Sequence, residues 1–579
     1  MSKSRVASIL MLSLALVSCS PAANSGGAAA VAHGQVGVGR VAIGSEGAVV
    51  SVDGFATEVG LDVLRAGGNA IDAAVAVGFT LSVTHPAAGN LGGGGFMTIY
   101  LADQDRYTTL DFRERAPAAA TQTMYLDDTG RPVRGLNKRG WLAVGVPGTV
   151  AGFDKAHSQW GRLPWNQLVE PAIQLASDGI LLSPYLARSL ASVAPTFRDF
   201  PASQKAFLRP DGSPYEAGAR LKQPDLAWSL GQIAEAGAAA FYKGKIAERL
   251  AAGMAANGGL ITTADLASYQ AVERAPIRGS YRGYEIVSMG PPSSGGVALV
   301  EMLNMLENFD LSAYGPNDPE AVHLMIESMR QAYLDRSAYL GDTDYVDVPI
   351  ERLTSKDYAR KAAAAIIPGQ ARHSAELGAD ILVAPEPMET THYSVVDGWG
   401  NVVSTTYTIE LGYGSRAMAE GTGFLLNNEM GDFNEWPGVT DQRGYIGTQA
   451  NLIEPGKRML SSMTPTIVAH DGKPVLVVGS PGGKTIINTV LRVIVNVIDF
   501  GLSLPDAVAA PRIHHQWMPD KVYLESSFPA GAIEALRRFG HDAIEGRRRQ
   551  GDAHCIFIYP DGARLAVADP RRAGAAGAY

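Results

Sequence analysis

The sequence predicts an α+β fold on three observations. Ala48–Val52 reads as a strand and Ala56–Val83 as a largely buried helix or helix pair broken near Gly67-Gly68. Residues from about 140 to 385 carry mostly helical spacing, for instance Gln223–Ala236 and Ala321–Tyr339, punctuated by Pro-Pro-Ser-Ser-Gly-Gly at 291–296. From Thr390 the pattern changes to short β-branched and aromatic runs bounded by turn residues. A run of helices followed by a run of strands indicates α+β rather than alternating α/β.

The chain has 579 residues, 46% hydrophobic and 18% charged, which is ordinary globular composition. Its length carries a prior of about two to four domains. A net charge of -9, with no Lys/Arg run longer than Arg547-Arg548-Arg549, argues against nucleic acid as a partner. That cluster reads as a solvated loop.

Residues 1–18 place Lys3 and Arg5 ahead of the apolar run Val6–Val17, too short to span a bilayer and suited to a signal peptide. The run ends Leu16-Val17-Ser18-Cys19, which is similar to a bacterial lipobox and implies lipidation of Cys19. Ser20 rather than Asp after it implies sorting to the outer membrane, facing the periplasm. Residues 19–39 are rich in Ala, Gly and Ser and read as a flexible tether. Cys555 is the second of two cysteines, so no disulfide framework is expected and stability must come from the core.

The Gly-rich loop Gly89–Gly95 leads into a strand, Phe96–Leu101. Helix, then glycines, then strand is the reverse of the dinucleotide-binding order, so a Rossmann unit is excluded and the glycines are expected to permit close backbone packing near a site. The stretch Pro368–Met388 is polar, contains proline and has weak periodicity, so it can be cut without breaking an element.

After it comes a hairpin. His392–Val396 and Val402–Thr408 flank the turn Asp397-Gly-Trp-Gly-Asn401, and centring the loop on Trp399 places Thr390 opposite Thr408. If the chain is cut before Thr390, that residue offers Oγ as nucleophile and its own α-amine, with a pKa of about 8, as base. This is the chemistry of an N-terminal nucleophile hydrolase; an ordinary half-buried hairpin is the alternative.

Further strands are expected at Gly423–Leu426, Thr464–Ala469, Val475–Gly479 and Cys555–Tyr559, with a helix at Ile486–Phe500. The turn Gly479-Ser-Pro-Gly-Gly-Lys-Thr485 is one residue short of a P-loop. Gly482 and Gly483 sit at a helix N-terminus, where backbone N–H groups stabilise negative charge, and are candidate oxyanion donors; a plain glycine turn is the alternative. No HExxH or CxxC spacing occurs, and the adjacent His514 and His515 read as structural or surface residues, so neither metal nor cofactor is expected.

Ten stretches, in order, resemble the γ-glutamyltranspeptidase family: VTHPAAGNLGGGGFM (83–97), DFRERAP (111–117), PGTVAGF (147–153), GGLIT with DLASY (258–269), PPSSGG (291–296), DRSAYLGD (335–342), TTHYSVVD (390–397), NNEMGDFN (427–434), KRMLSSMTPTIV (457–468) and GSPGG (479–483). The resemblance runs from about residue 40 to Tyr579. It implies a four-layer αββα sandwich built from two chains of one autocleaved precursor, a large subunit at 40–389 and a small one at 390–579, forming one interlocked catalytic domain. It implies cleavage between Glu389 and Thr390, with Thr390 as nucleophile, Thr408 as its orienting partner, and Gly482 and Gly483 as the oxyanion pair. Arg113, Ser461 and Ser462 match the α-carboxylate pocket. Asp432 matches the ammonium partner, with Glu429 and Glu410 beside it; at 410 many relatives have Asn. Pro437–Thr448 resembles a lid loop in length, with Tyr445 as the aromatic near its tip. The donors implied are γ-glutamyl compounds such as glutathione, and the acceptors water, amino acids or dipeptides. A cephalosporin or glutaryl acylase, an envelope-polymer transpeptidase, and a non-catalytic lipoprotein scaffold are the other readings.

Overall fold

The computed structural model describes residues 39–377, 390–439, 447–546 and 550–579. The signal segment 1–18, Cys19, the tether up to residue 38, Glu389, Tyr445 and Arg547–Arg549 lie outside the described residues.

Two mixed-origin sheets of seven strands each face one another. The first runs in the order Ala575–Ala578, Ala48–Ser51, Thr391–Val396, Val402–Thr408, Gly94–Leu101, Arg106–Phe112 and Val272–Arg274. The second runs Val41–Gly44, Arg564–Ala568, His554–Ile558, Lys473–Val478, Thr466–His470, Tyr284–Ser288 and Ile277–Tyr281. Both therefore draw strands from either side of Thr390, so residues 39–377 and 390–579 cannot be separated without opening both sheets.

Helices Gly54–Arg65 and Ala70–Thr84 bury their apolar residues with Val49, Ile99, Tyr393, Val395 and Val403 on the outer face of the first sheet. Helices Gly295–Leu306, Pro319–Tyr339 and Thr485–Ile498 do the same with Ile286, Val468, Leu476 and Cys555 of the second. Val50, Val396, Val402, Ile467, Val477 and Ile556 fill the space between the sheets. The layers are thus helix, sheet, sheet, helix, the αββα sandwich expected.

The N-terminal helix pair breaks where its Gly67-Gly68 predicts. Asn69 caps the second helix by accepting from Ile71 and Asp72 N–H, and Asp72 returns a bond to Asn69 N. Gly423–Leu426 is not a strand: Gly423 lies at φ +74 and Leu426 N donates to Ala417 O, leaving only a single bridge between Gly92 and Leu426. His514 and His515 are both buried, which excludes the surface alternative; Asn488 Nδ2 approaches His514 Nδ1 at 2.7 Å.

Candidate active site

The hairpin has the register that the turn chemistry predicts. Thr391 pairs with Tyr407, His392 with Thr406 and Ser394 with Ser404, and Asp397 Oδ1 accepts from both Trp399 N and Asn401 N at 2.9 Å. Asp397 Oδ2 also accepts from Ala70 N at 2.9 Å, which ties the turn to the start of the second helix. Alternation does the rest. Tyr393 and Val395 face the helices, while His392, Ser394, Ser404 and Thr406 face the other sheet, where Ser394 Oγ donates to His554 O and Ser404 Oγ to Val478 O. Thr390, just before the strand, shares this inner side. Its Oγ1 donates to Thr408 Oγ1 at 3.4 Å, and Thr408 Oγ1 also accepts from Glu410 N at 2.8 Å. The first of these is long for a hydroxyl–hydroxyl hydrogen bond.

The Gly-rich loop packs as its composition predicts. A Cβ on Gly93 would sit 2.0 Å from Thr408 O, and one on Gly94 2.4 Å from Phe112 O, so only glycine lets this backbone lie against the strand Val402–Thr408.

Around Thr390 lies a small, partly open cleft lined by Arg113, Thr390, Thr408, Glu410, Glu429, Asp432, Ser461, Ser462, Met463, Gly483 and Ile486. Among the described residues, the structure therefore brings together every site candidate named from the sequence except Gly482. Gly482 belongs to the same turn as Gly483. Both adopt positive φ, +135 and +55, and Thr485 Oγ1 fixes the turn by donating to Gly482 O at 2.8 Å.

Arg113 follows the strand Arg106–Phe112 and is 1% exposed, which excludes a surface salt bridge. Its Nη1 lies 2.6 Å from Glu429 Oε2 and 3.5 Å from Glu114 Oε2, its Nη2 donates to Asp432 Oδ2 at 2.5 Å, and its Nε to Met459 O at 3.2 Å. One guanidinium thus faces three carboxyls, and burial pushes the Glu429 and Glu114 carboxyls up from their usual range, Glu114 to about 8. Asn451 fixes the turn Glu429–Asp432: Nδ2 donates to Asp432 O at 2.7 Å and Oδ1 accepts from Leu460 N at 2.9 Å. Glu410 sits at φ +71, the sparsely populated left-handed region, consistent with strain held at a working site.

Four lining or supporting residues were not singled out from the sequence. Met463 and Ile486 are apolar walls with no local signal. Glu114 lay in plain view inside DFRERAP, and Arg336 inside DRSAYLGD. Arg336 Nη2 donates to Ser462 Oγ at 3.0 Å and Nε to Ser294 Oγ at 2.9 Å, while Ser294 Oγ donates to Ser461 O at 2.7 Å. Ser461 and Ser462 are thereby held from behind by the helix Pro319–Tyr339 and the PPSSGG turn. Among the described residues, His323, Glu327 and His541 also bring potential metal-ligating atoms within 4.8 Å of one another. Arg330 and Arg372 engage both Glu327 oxygens there, so that trio is a poor match for a dication.

The arrangement offers a hydroxyl nucleophile, a helix-terminal anion site, and a pole where one cation and several anions stand side by side. Such a pole is complementary to a zwitterionic α-amino acid head. A sequence profile of the family described as Gamma-glutamyltranspeptidase matches residues 56–579. The glutathione hydrolase proenzyme of Escherichia coli (strain K12) is 48% identical over 526 residues, covering 91% of this chain and 90% of that protein. Among solved structures, a cephalosporin acylase from Bacillus halodurans superposes with a TM-score of 0.82 at 28% identity, covering 93% of this chain and 97% of that one. The γ-glutamyltranspeptidase of Helicobacter pylori superposes with a TM-score of 0.54 at 48% identity, covering 55% of this chain and 91% of that one. With Thr390, Thr408 and Arg113 gathered in one cleft and the family profile spanning nearly the whole sequence, this chain belongs to the γ-glutamyltranspeptidase family.

Proposed function

We propose that this chain is an autoprocessing γ-glutamyl hydrolase and transferase acting on glutathione and related γ-glutamyl amides. The observation that carries the reading is that Thr390 and the Arg113–Glu429–Asp432 pole line one cleft. Maturation starts with Thr390 Oγ attacking the Glu389 carbonyl carbon. The C–N bond breaks, the amide becomes an ester, and water hydrolyses that ester to leave a free α-amine on Thr390. Residues 40–389 and 390–579 then stay associated as the large and small subunits of a heterodimer.

In turnover, the donor's α-carboxylate is received by Arg113, Ser461 and Ser462, and its α-ammonium by Asp432, with Glu429 and Glu410 beside it. Arg suits the first task because its fork can hold a carboxylate through two nitrogens. The Thr390 amine takes the hydroxyl proton as Oγ bonds to the γ-carbonyl carbon. Gly482 and Gly483 N–H groups stabilise the resulting oxyanion, a role worth roughly 3–4 kcal/mol per donor in comparable sites. Collapse expels the leaving amine, which collects the proton from the Thr390 ammonium, and a γ-glutamyl ester remains. Water or the amine of an amino acid or dipeptide then attacks that ester, regenerating Thr390 and releasing glutamate or a new γ-glutamyl amide.

An acylase for glutaryl-type side chains is the second reading, favoured by the likeness to the Bacillus halodurans enzyme. The charge pattern weighs against it. A glutaryl carboxylate that took Arg113 would strip Asp432 and Glu429 of their shared cation and supply none in return, which is costly in a buried site. For location, we infer export by residues 1–18 and a lipid anchor at Cys19 on the periplasmic face of the outer membrane. No helix among the described residues is long and apolar enough to cross a membrane.

The test is Thr390→Ala. The unmodified chain of 61.1 kDa is expected as one band where the wild type gives fragments of about 40 and about 20 kDa, and no γ-glutamyl turnover. Normal cleavage in this variant would place the nucleophile elsewhere.

A further inference from the structure

Charge around Arg113 does not balance, and the imbalance has a consequence for donor binding. Arg113 faces Glu429, Asp432 and Glu114, and Glu410 lines the same cleft. Other cations nearby are committed elsewhere: Arg336 to Ser294 and Ser462, and Arg274 and Arg458 to Asp111. A donor head adds one carboxylate and one ammonium, so it leaves the sum unchanged but redistributes the contacts: the incoming carboxylate takes guanidinium nitrogens now held by Glu429 and Asp432, and the ammonium takes Asp432.

Glu114 is the group left exposed by that exchange. It is 0% solvent-exposed, neither of its oxygens accepts a hydrogen bond from a neighbouring residue, and the nearest cationic nitrogen is Arg113 Nη1 at 3.5 Å. Its carboxyl packs against Gly94, where an added Cβ would lie 2.7 Å from Oε2, and its Cβ packs beside Gly145. The groups that face it are Arg113 and Asp111 from its own strand end, Asp432 and Glu429 from the 429–432 turn, and Tyr242 and Tyr269 from the helical layer. An ionised carboxylate in such a place needs a cation. Glu429 retains one by contact at 2.6 Å, and Asp432 gains the donor's ammonium.

We propose that the γ-glutamyl head binds together with one proton, and that Glu114 holds it as a neutral carboxylic acid behind Arg113. This rests on the γ-glutamyl reading of the cleft and makes Glu114 a positioning residue that matches the pocket's charge to a zwitterion. Burial already places its carboxyl at about 8 in the empty site, so near neutral pH it is mostly protonated, and the cost of binding appears as pH rises through that value.

The experiment is calorimetric titration of the processed enzyme with L-glutamate in two buffers of different ionisation enthalpy. At a pH of about 8.5 the wild type is expected to take up most of one proton per glutamate, falling toward none at about pH 6, while its affinity drops roughly tenfold per pH unit above 8. Glu114→Gln, which is fixed as the neutral isostere, is expected to lose the uptake and flatten the affinity profile. An absence of uptake in the wild type, or equal uptake in E114Q, overturns the proposal. If E114Q does not mature, infrared difference spectra of the wild type decide it: glutamate binding at that pH must create the C=O stretch of a protonated buried carboxyl, and its absence refutes the assignment. Turnover of γ-glutamyl-p-nitroanilide by the same wild-type sample is read separately, so an active enzyme that binds without proton uptake sinks this inference and leaves the activity standing.

Discussion

Asp432→Asn tests the proposed contact between Asp432 and a donor ammonium. The substitution is isosteric and keeps an oxygen within reach of Arg113 Nη2, which Asp432 now meets at 2.5 Å. Arg113 would retain Glu429 at 2.6 Å and Glu114 at 3.5 Å, so the fold loses one anion from a site that already has an excess. Folding and self-cleavage should therefore survive. What disappears is the attraction for a cation. At about 4 Å and an effective dielectric near 20, a unit pair is worth about 4 kcal/mol. The Asp432 side chain keeps 14% of its surface in solvent, and an amide oxygen still accepts a neutral-strength bond, so a net loss of about 3 kcal/mol is reasonable. That corresponds to a fall of roughly 150-fold in kcat/KM for γ-glutamyl-p-nitroanilide or glutathione. A glutaryl anilide, which has no α-amine, should lose less than about threefold. The assay is steady-state release of nitroaniline from the two anilides by the same preparation, with a thermal melt as the folding control. Equal losses on both substrates would refute the ammonium role and raise the acylase reading in its place.

Three further outcomes can be checked. Gly93→Ala drives a methyl to 2.0 Å from Thr408 O, backbone that cannot retreat without moving the strand, so maturation should be lost or slowed by orders of magnitude on gels. His85, His323, His392, His515 and His541 are buried and held neutral, with His515 pushed down to about 4 and His85 to about 3. Their folded values lie below that of an unfolded histidine, so the unfolded chain binds more protons beneath about pH 6.5; stability is full above that value and falls on acidification by up to about 1.4 kcal/mol per pH unit for each residue. Denaturant midpoints measured from pH 7.5 down to about 5 should drop steeply, and a flat profile would show these rings protonated in the fold. Cys19→Ala should move the exported protein from the membrane to the soluble periplasmic fraction, and unchanged membrane association would remove the lipid anchor.

Much of the fold's local grammar was legible. The 390–408 hairpin was readable to the residue because side-chain alternation and the Asp397–Asn401 turn each specify the same register. Other strands were not. Arg106–Phe112, Val272–Arg274, Ile277–Tyr281 and Tyr284–Ser288 carry charged or glycine positions that interrupt the alternation, and in the fold their partners supply what local propensity lacks. Gly423–Leu426 looked extended because of its apolar run, yet Gly423 turns left-handed and the backbone bonds of Leu426 go to Ala417 and Ser415. The site was legible as a set of residue types through family resemblance. Its supporting shell was not, because a buried Glu114 or an Arg336 reaching Ser462 announces itself only through neighbours far along the chain.

By itself, the order of residues determined Thr390's pairing with Thr408, the glycines that let backbone crowd against it, and the helix-terminal turn at 482–483, since each depends on contacts within a few residues or one hairpin. Tertiary structure alone decided that Arg113, Glu429, Asp432 and Ser462 meet around Thr390, and that Glu114 ends fully buried behind Arg113. Two sheets interleaving strands from both sides of Thr390 make those meetings. Such long-range closures leave no local periodicity to read, and the energies that matter most here, those of charge without solvent, come into being only once the chain has closed over it.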